Sequence, residues 1–472
     1  MGKITKNYLY NVSYQILVLL APIVTAPYLA RILGASNLGI YSYVSSSGNI
    51  ITTLSLIGIY NYGNRQTAYV RDNFEILTST FWELFFIKIG LGTIGTVAYF
   101  VYVYANKEYF TFFLIYYPFI FAQFIDCSWF YVGLENIKLA VIKNFIMKLG
   151  TIIGIFVFVK SRDDLWIYIM LIALSTLGAN LSIYVQLPHY IGKPKLDIQM
   201  IPQHIKGSIV LFLPQVASLF YLQVDKVMLK WITGETQQVS FYDQAEKIVT
   251  IPLSLIIAIS SVVMPRIANE YKKNNKEAVQ TILIKAGKYA LCIAMPMMMG
   301  IFCIARQFIP WYLGEEFYSA SNAIMILTPI ILLNSLAGIS GRQYFTATNQ
   351  LTILVKAYSI AAIMNVISNA LLIPHFGYIG TAIATVLSSL YSVIVQYYYL
   401  AKQINIEKLW RYGIKYFIGA FIMAVCIFLF TSKMEASIIT TFEQIFIGVI
   451  IYALYLLFTK DSVIKDVLKI FH

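Results

Sequence analysis

The chain has 472 residues, of which 59% are hydrophobic and 12% charged, with a mean hydropathy of +0.71. A soluble domain carries about twice that charged fraction. A length that would otherwise suggest about three soluble domains is therefore read as one polytopic membrane bundle. The net charge of +13 comes without a basic tail or a basic segment interleaved with aromatics. It is assigned to the loops of one membrane face and not to nucleic-acid binding.

Apolar stretches of the roughly 20 residues needed to cross the hydrocarbon core follow one another from Tyr8 to Phe458. The start, MGKITKNYLYNVSYQILVLLAPIVTAPYLARILG, is basic and then apolar, and lacks a small-residue cleavage site. It reads as a retained first helix. About fourteen spans are predicted: 10–31, 38–60, 78–104, 110–132, 143–160, 165–187, 208–231, 244–264, 281–304, 319–340, 352–373, 379–400, 413–431 and 439–458. The longest connectors are 61–77, 188–207 and 265–280.

Charge orients the spans. With Lys3 and Lys6 in the cytoplasm, alternate connectors carry Arg65, Arg71, Lys138, Lys193, Lys195, Lys206, Arg266, Lys272, Lys273, Lys276, Arg342, Lys402, Lys408 and Arg411. The tail adds Lys460, Lys465 and Lys469. The opposite set holds only Arg31, Lys107, Lys160, Arg162, Arg306 and Lys433. A bias of roughly threefold places both termini inside.

A weak internal repeat runs through the first twelve spans. ARILGASNLGIYSY is followed by Arg65, and KWITGETQQVSFYDQ by Arg266; Tyr41 to Arg65 and Tyr242 to Arg266 are equal separations. FYVGLENIKLAVIKN (Phe130–Asn144) lies beside QYFTATNQLTILVKA (Gln343–Ala357), with Asn136 to Lys143 matching Asn349 to Lys356. Six spans is an even number, so the two halves insert the same way up, as in parallel-repeat transporters. The predicted organisation is an N-terminal six-helix bundle (1–207), a C-terminal six-helix bundle (208–401), and two additional helices with a cytoplasmic tail (402–472).

Ionisable residues within spans are costly and tend to face a bundle interior or a watery cavity. Those too deep to be loop charges are Glu83, Lys88, Asp126, Lys148, Asp225, Lys226, Lys230, Glu246, Lys247, Lys285, Lys288 and Lys356. Cations outnumber anions about two to one, which suits an anion-attracting cavity. Lys148, Lys230, Lys247, Lys285 and Lys288 lie near span ends and are expected to snorkel. Lys88 is mid-span, with Glu83 five residues earlier as a loose partner. Adjacent Asp225 and Lys226 face different sides of their helix. Asp126, one turn before Trp129, is either an interface anchor or a coupling-ion ligand. Pro22, Pro27, Pro118, Pro214, Pro252, Pro296 and Pro329 are hinges or static kinks. The 36 tyrosines and 31 phenylalanines supply interfacial belts and packing.

Enzyme signatures are missing from the sequence: no P-loop, dinucleotide fingerprint, nucleophile elbow or HExxH. His189, His204, His375 and His472 are too scattered for a ligand set. Cys127, Cys292, Cys303 and Cys426 have no paired spacing and read as packing residues. No metal and no cofactor is predicted.

PYLARILGASNLGIYSY (Pro27–Tyr43), GNRQTAYVRD (Gly63–Asp72), DCSWFYVGLEN (Asp126–Asn136), QVDKVMLKW (Gln223–Trp231), SFYDQAEKIVTIPLSL (Ser240–Leu255), VVMPRIA (Val262–Ala268) and MNVISNALLIPHFGYIGTAIATV (Met364–Val386) occur in this order. Together they resemble the Wzx-type polysaccharide flippases of the multidrug/oligosaccharidyl-lipid/polysaccharide exporter superfamily. The resemblance implies an all-α, MATE-like pair of six-helix bundles with alternating access. It also implies an undecaprenyl-pyrophosphate-linked oligosaccharide as substrate, moved to the outer leaflet of the bacterial plasma membrane for O-antigen or capsule assembly. Pathway glycosyltransferases and a polymerase would be the partners. On this resemblance Arg31, Lys88, Lys226 and Lys356 would line a cationic cavity, and Arg65 and Arg266 its inner mouth or gate. Asp126, Asp225 and Glu246 would serve H+ or Na+ coupling or salt-bridge gating. The alternatives are a cation-coupled drug exporter of the same superfamily, disfavoured by two extra spans and a basic inventory, and a membrane polymerase, disfavoured by outer loops of about fifteen residues at most.

Overall fold

The computed structural model describes residues 3–219 and 223–463. The side chains of Lys3, Lys6, Lys138 and Pro214, and the whole of Lys465, Lys469 and His472, lie outside the described residues. In chain order the helices are α1 (Lys3–Leu56), α2 (Ile59–Val70), α3 (Phe74–Ala105), α4 (Phe110–Ile125), α5 (Ser128–Gly133), α6 (Ile137–Phe158), α7 (Leu165–Ser182), α8 (Ile201–Leu219) and α9 (Asp225–Thr233). They continue as α10 (Thr236–Thr250), α11 (Leu253–Lys272), α12 (Lys276–Tyr312), α13 (Ala320–Leu327), α14 (Pro329–Ala337), α15 (Leu351–Phe376), α16 (Tyr378–Ala401), α17 (Glu407–Thr431) and α18 (Ile438–Phe458).

A backbone in hydrocarbon must satisfy its own amides and carbonyls, which is why every span is helical. Ten helical stretches among the described residues are long and apolar enough to cross a bilayer. The other four predicted spans fall in α1 and in the interrupted helices α8–α9 and α10–α11. Large apolar residues such as Phe428, Leu429, Phe430, Phe442 and Phe446 are exposed on α17 and α18. Such a surface is stable only against lipid.

Helices overrun the predicted span edges. Spans 1 and 2 are two helices that meet directly at Gly34, whose backbone (φ 77, ψ 172) is not helical, within α1, and the expected 61–77 connector is largely α2. α11 reaches Lys272, and α12 runs 37 residues from Lys276. Hydropathy marks where a helix leaves the membrane, whereas capping decides where it ends. Asn73 accepts from the Glu75 and Ile76 amides to start α3, and Asn275 from the Ala278 amide to start α12. Pro252 and Pro329 stand at helix starts, while Pro22, Pro27, Pro118 and Pro296 lie inside helices.

The chain packs as two units, residues 1–230 with 235–240, and 231–234 with 241–472. The division falls at Lys230, one span beyond the 207/208 connector, because α8 packs on α2 and α3. In the first unit α4 packs on α7, α1 on α6 and α3, and α2 on α5. In the second, α15 and α16 form a hairpin, α16 packs on α13 and α14, and α12 packs on α17, which pairs with α18.

The repeat is visible in local backbone geometry. Gly34 (φ 77, ψ 172) and Gly234 (φ 74) both take a left-handed φ that suits glycine. Ahead of α6 the Leu134, Glu135 and Asn136 amides bond to the Phe130, Val132 and Tyr131 carbonyls. Ahead of α15 the Thr348, Asn349 and Gln350 amides bond to those of Tyr344, Thr346 and Phe345, each 214 positions on. Glu135 and Asn349 share the rare positive φ, 56 and 59. The backbone therefore pairs Asn136 with Gln350, one residue off the Asn–Asn match seen in the sequence. One residue is about 100° around a helix. The Lys143 amine is accordingly buried while Lys356 is exposed.

Candidate functional site

The interior of the first unit is built around a break in the fourth span. α4 ends at Ile125, Asp126 is extended (φ −64, ψ 124), and α5 restarts at Ser128. A helix end leaves carbonyls without intrahelical partners, and here polar side chains from other helices supply them. Asn180 Nδ2 donates to the Ala122 carbonyl at 2.8 Å. The Tyr184 hydroxyl donates to the Ile125 carbonyl. The Lys88 ammonium donates to the Asp126 main-chain carbonyl, placing a cation at the negative end of α4. Lys88 is 2% exposed. The Asp126 carboxylate faces the other way: its two oxygens accept from the Ser128 amide at 2.9 Å and the Ser128 hydroxyl at 2.8 Å, opening α5.

A second cation stands nearby. The Lys143 Nζ of α6 is buried without a hydrogen-bond partner among the described residues, and it interacts electrostatically with Asp126 and Cys127. Two lysine amines and one carboxylate at a broken helix make a region that would accept an added anion. Beneath it lies an aromatic cluster of Phe81, Trp129, Phe130 and Tyr131, with Phe81 stacked on Trp129 at 5.6 Å.

Glu83 does not pair with Lys88. Five residues on a helix separate the two side chains, and Glu83 instead binds His204 of α8 and the Asp197 amide. Among the lysines expected to snorkel, Lys285 is exposed, and Lys247 is exposed and bridges Asp243 at 2.6 Å. Lys230 and Lys288 are instead buried and paired, Lys230 with Glu108 at 3.4 Å and Lys288 with Asp461 at 2.9 Å. Asp225 and Lys226 are both buried, Glu246 is half-buried and Arg31 exposed, and none of the four is without a partner. Arg65 and Arg266 are exposed, Arg65 lying over the Tyr62 ring. Besides its buried ion pair, the second unit holds a neutral polar cluster. Asn369 donates to Asn365 at 3.2 Å, and Gln396 accepts from Ser340 at 2.8 Å and donates to Ser392 at 3.0 Å.

Lys143, His204 and Asp461 were missed by sequence reasoning. Lys143 was visible only as a landmark of the repeat. Glu83, charged within a span and without an i±4 partner, was the signal that a cationic or hydrogen-bonding partner had to come from elsewhere. Asp461 follows the last span and carries no signal of its own.

A helical membrane chain of two units with broken spans and buried charges is the architecture of the multidrug/oligosaccharidyl-lipid/polysaccharide exporter fold. The lipid II flippase MurJ in an inward closed conformation matches with a TM-score of 0.77 at 18% identity, covering 97% of this chain and 100% of that one. An inward-facing MATE family multidrug resistance transporter matches with a TM-score of 0.65 at 16% identity, over 84% and 96%. The chain belongs to the polysaccharide biosynthesis protein family, whose model matches residues 4–270. A putative O-antigen transporter of Escherichia coli (strain K12) is 26% identical over 393 residues, 80% of this chain and 92% of that protein. The probable low-salt glycan biosynthesis flippase Agl15 of Haloferax volcanii is 24% identical over 259 residues, 54% of each chain, so that match spans about half of the relative. These named proteins are transporters and flippases, which sets the membrane-polymerase alternative aside.

Proposed function

We propose that this chain is a flippase that turns a lipid-linked oligosaccharide, of the undecaprenyl-pyrophosphate class, from the inner to the outer leaflet by alternating access. The headgroup must cross in a hydrated path while the lipid tail stays in the bilayer, and its pyrophosphate needs cations along that path. The observation that carries this reading is the pair of buried amines, Lys88 and Lys143, at the broken fourth span of a chain from a polysaccharide-biosynthesis family. Membrane burial of a cation is expensive and is kept where it serves a pathway. Arg31, Lys226 and Lys356 extend the cationic set, Arg65 and Arg266 guard its inner mouth, and Asp126, Asp225 or Glu246 carries H+ or Na+ coupling. The loop charges favour a plasma-membrane protein with both termini in the cytoplasm, serving the glycosyltransferases and polymerase of one surface-polysaccharide pathway.

In cells, Lys88→Ala and Lys226→Ala are expected to reduce surface polysaccharide while the protein stays at its normal level in the membrane. Normal polysaccharide in both single variants and in the double variant contradicts the cationic path.

A further inference from the structure

The second unit carries an apolar cleft near the α16–α17 connector. α12 packs on both α14 and α17, and α14 packs on α16. The space left between these four helices is about 250 Å3. Leu291 and Met295 of α12, Tyr397 of α16 and Leu409 of α17 line it and are buried. Trp410, Ile414 and Phe417 of α17 form its rim and are exposed at 53%, 63% and 44%. Large apolar side chains exposed on a membrane helix face lipid, so the cleft opens sideways to the bilayer. Its walls offer a ligand little hydrogen bonding, since Tyr397 spends its hydroxyl on the Leu336 carbonyl at 3.3 Å.

α17 is shaped around this space. Leu409, Gly413 and Phe417 stand at i, i+4 and i+8, on one face of the helix. Leu409 approaches α12 so closely that a Cβ on Gly287 would lie 2.4 Å from its Cδ1, which closes the cleft at that end. One turn on, a Cβ on Gly413 would meet no atom of the described residues within 4 Å. Glycine weakens a helix interior. Gly419 on the same helix is explained by packing, because its Cβ would lie 2.4 Å from the Tyr455 ring. Gly413 has no such neighbour, and what its missing side chain leaves is room.

The mouth of the cleft is basic. Trp410 also lines an open groove of about 680 Å3 along residues 401–407. Lys402, Lys408 and Arg411 stand there, all exposed, against one acid, Glu407, which Arg411 already bridges at 2.6 Å. The Lys402 ammonium is held 4.1 Å from the centre of the Tyr398 ring.

We propose that the cleft holds one acyl chain of an anionic phospholipid, with the phosphate headgroup against Lys402, Lys408 and Arg411. The space is smaller than the roughly 300–1,000 Å3 of sites for compact ligands. A slim unbranched chain suits it better than a polyprenyl chain with a methyl branch on every unit. Basic residues beside membrane helices attract anionic headgroups, and tryptophan favours the level where headgroup meets hydrocarbon. The bound chain fills the room beside Gly413 and ties α17 to α12 and α16. The inference does not depend on the transport reading.

The test uses the full-length protein in phosphatidylcholine nanodiscs doped with a lipid brominated on its acyl chains, which quenches tryptophan on contact. The chain has six tryptophans, so the Trp410 emission is taken as the difference between the unsubstituted protein and Trp410→Phe. Brominated phosphatidylglycerol should half-quench that emission at about a tenth of the mole fraction that brominated phosphatidylcholine needs. Gly413→Leu fills the cleft with a better helix former. The triple variant Lys402→Gln, Lys408→Gln, Arg411→Gln removes the charge at exposed positions, and carries the test if Gly413→Leu fails to fold. Each variant should bring the two lipids to equal quenching. Equal quenching by both lipids in the unsubstituted protein, or a preference that survives either variant, overturns the proposal. So does release of the quencher by undecaprenyl phosphate at a lower mole fraction than by unbrominated phosphatidylglycerol, which would give the cleft to a prenyl chain.

Discussion

A lysine amine in a membrane interior keeps its charge only where something answers it, and the two lysines at the α4–α5 break are answered differently. Lys88 closes the end of α4 by donating to the Asp126 carbonyl, so it holds the fold as well as offering charge. Lys143 has no hydrogen-bond partner among the described residues, so its charge is a cost to the resting protein. Opposite stability effects follow. Lys88→Met should lower the melting temperature of the detergent-solubilised protein by several degrees, since a lost bond to a charged group is worth about 1.5–3 kcal/mol. Lys143→Met should leave it unchanged or raise it. Both should reduce surface polysaccharide. A Lys143→Met variant that melts as early as Lys88→Met would mean that its amine also holds structure.

At the scale of elements, the span pattern was legible because twenty apolar residues have few other uses, but the helix ends were not. α2 and the last turns of α11 are too polar for hydropathy to register, yet α2 packs on α3, α5 and α8, and α11 closes with the Lys273 amide on the Asn269 and Tyr271 carbonyls. The cluster after α18 is a second case. Asp461 binds Lys288 at 2.9 Å and Lys415 at 2.5 Å, accepts from the Val463 amide at 2.9 Å, and lies 3.3 Å from the Tyr416 hydroxyl, while Lys288 also covers the Tyr412 ring. It ties the end of α18 to α12 and α17. Burial by itself would raise the Asp461 pKa, but Lys415, the Val463 amide and Lys288 together bring it down to about 2. A depressed carboxylate stabilises the fold fully above its unfolded value near pH 4 and loses that contribution as pH falls through the folded value. The cluster thus contributes about 2 kcal/mol at neutral pH, lost between about pH 4 and 2. Asp461→Asn, which leaves two lysines uncompensated, should cost about 3 kcal/mol in thermal unfolding at pH 7. The difference from the unsubstituted protein should shrink toward pH 2; a difference that is constant with pH would contradict the assignment.

At the scale of the whole molecule, fold class and family were legible because motif order and the repeat run through most of the chain. The site was less so. Lys88 and Asp126 were found because a charge in a span is conspicuous. Their geometry was not, since no pattern says that Lys88 would bind the main chain of Asp126 while Ser128 takes its carboxylate. The one-residue slip between sequence match and backbone repeat hid Lys143 behind Lys356. The two units also differ in where their buried charges lie: the first places Lys88 and Asp126 at its broken span, whereas in the second the buried Asn365, Asn369 and Gln396 are neutral and the buried Lys288 and Asp461 lie at the end of α18.

The most direct measurement reconstitutes the purified protein in liposomes carrying a fluorescent undecaprenyl-pyrophosphate-linked oligosaccharide in the inner leaflet and follows its appearance outside with a membrane-impermeant quencher. The protein should speed that transfer well above empty liposomes, and the Lys88→Ala, Lys143→Ala double variant, reconstituted to the same density, should fall back toward the empty rate. Equal transfer with and without the protein, or full transfer by the double variant, would contradict a flippase working through these buried cations.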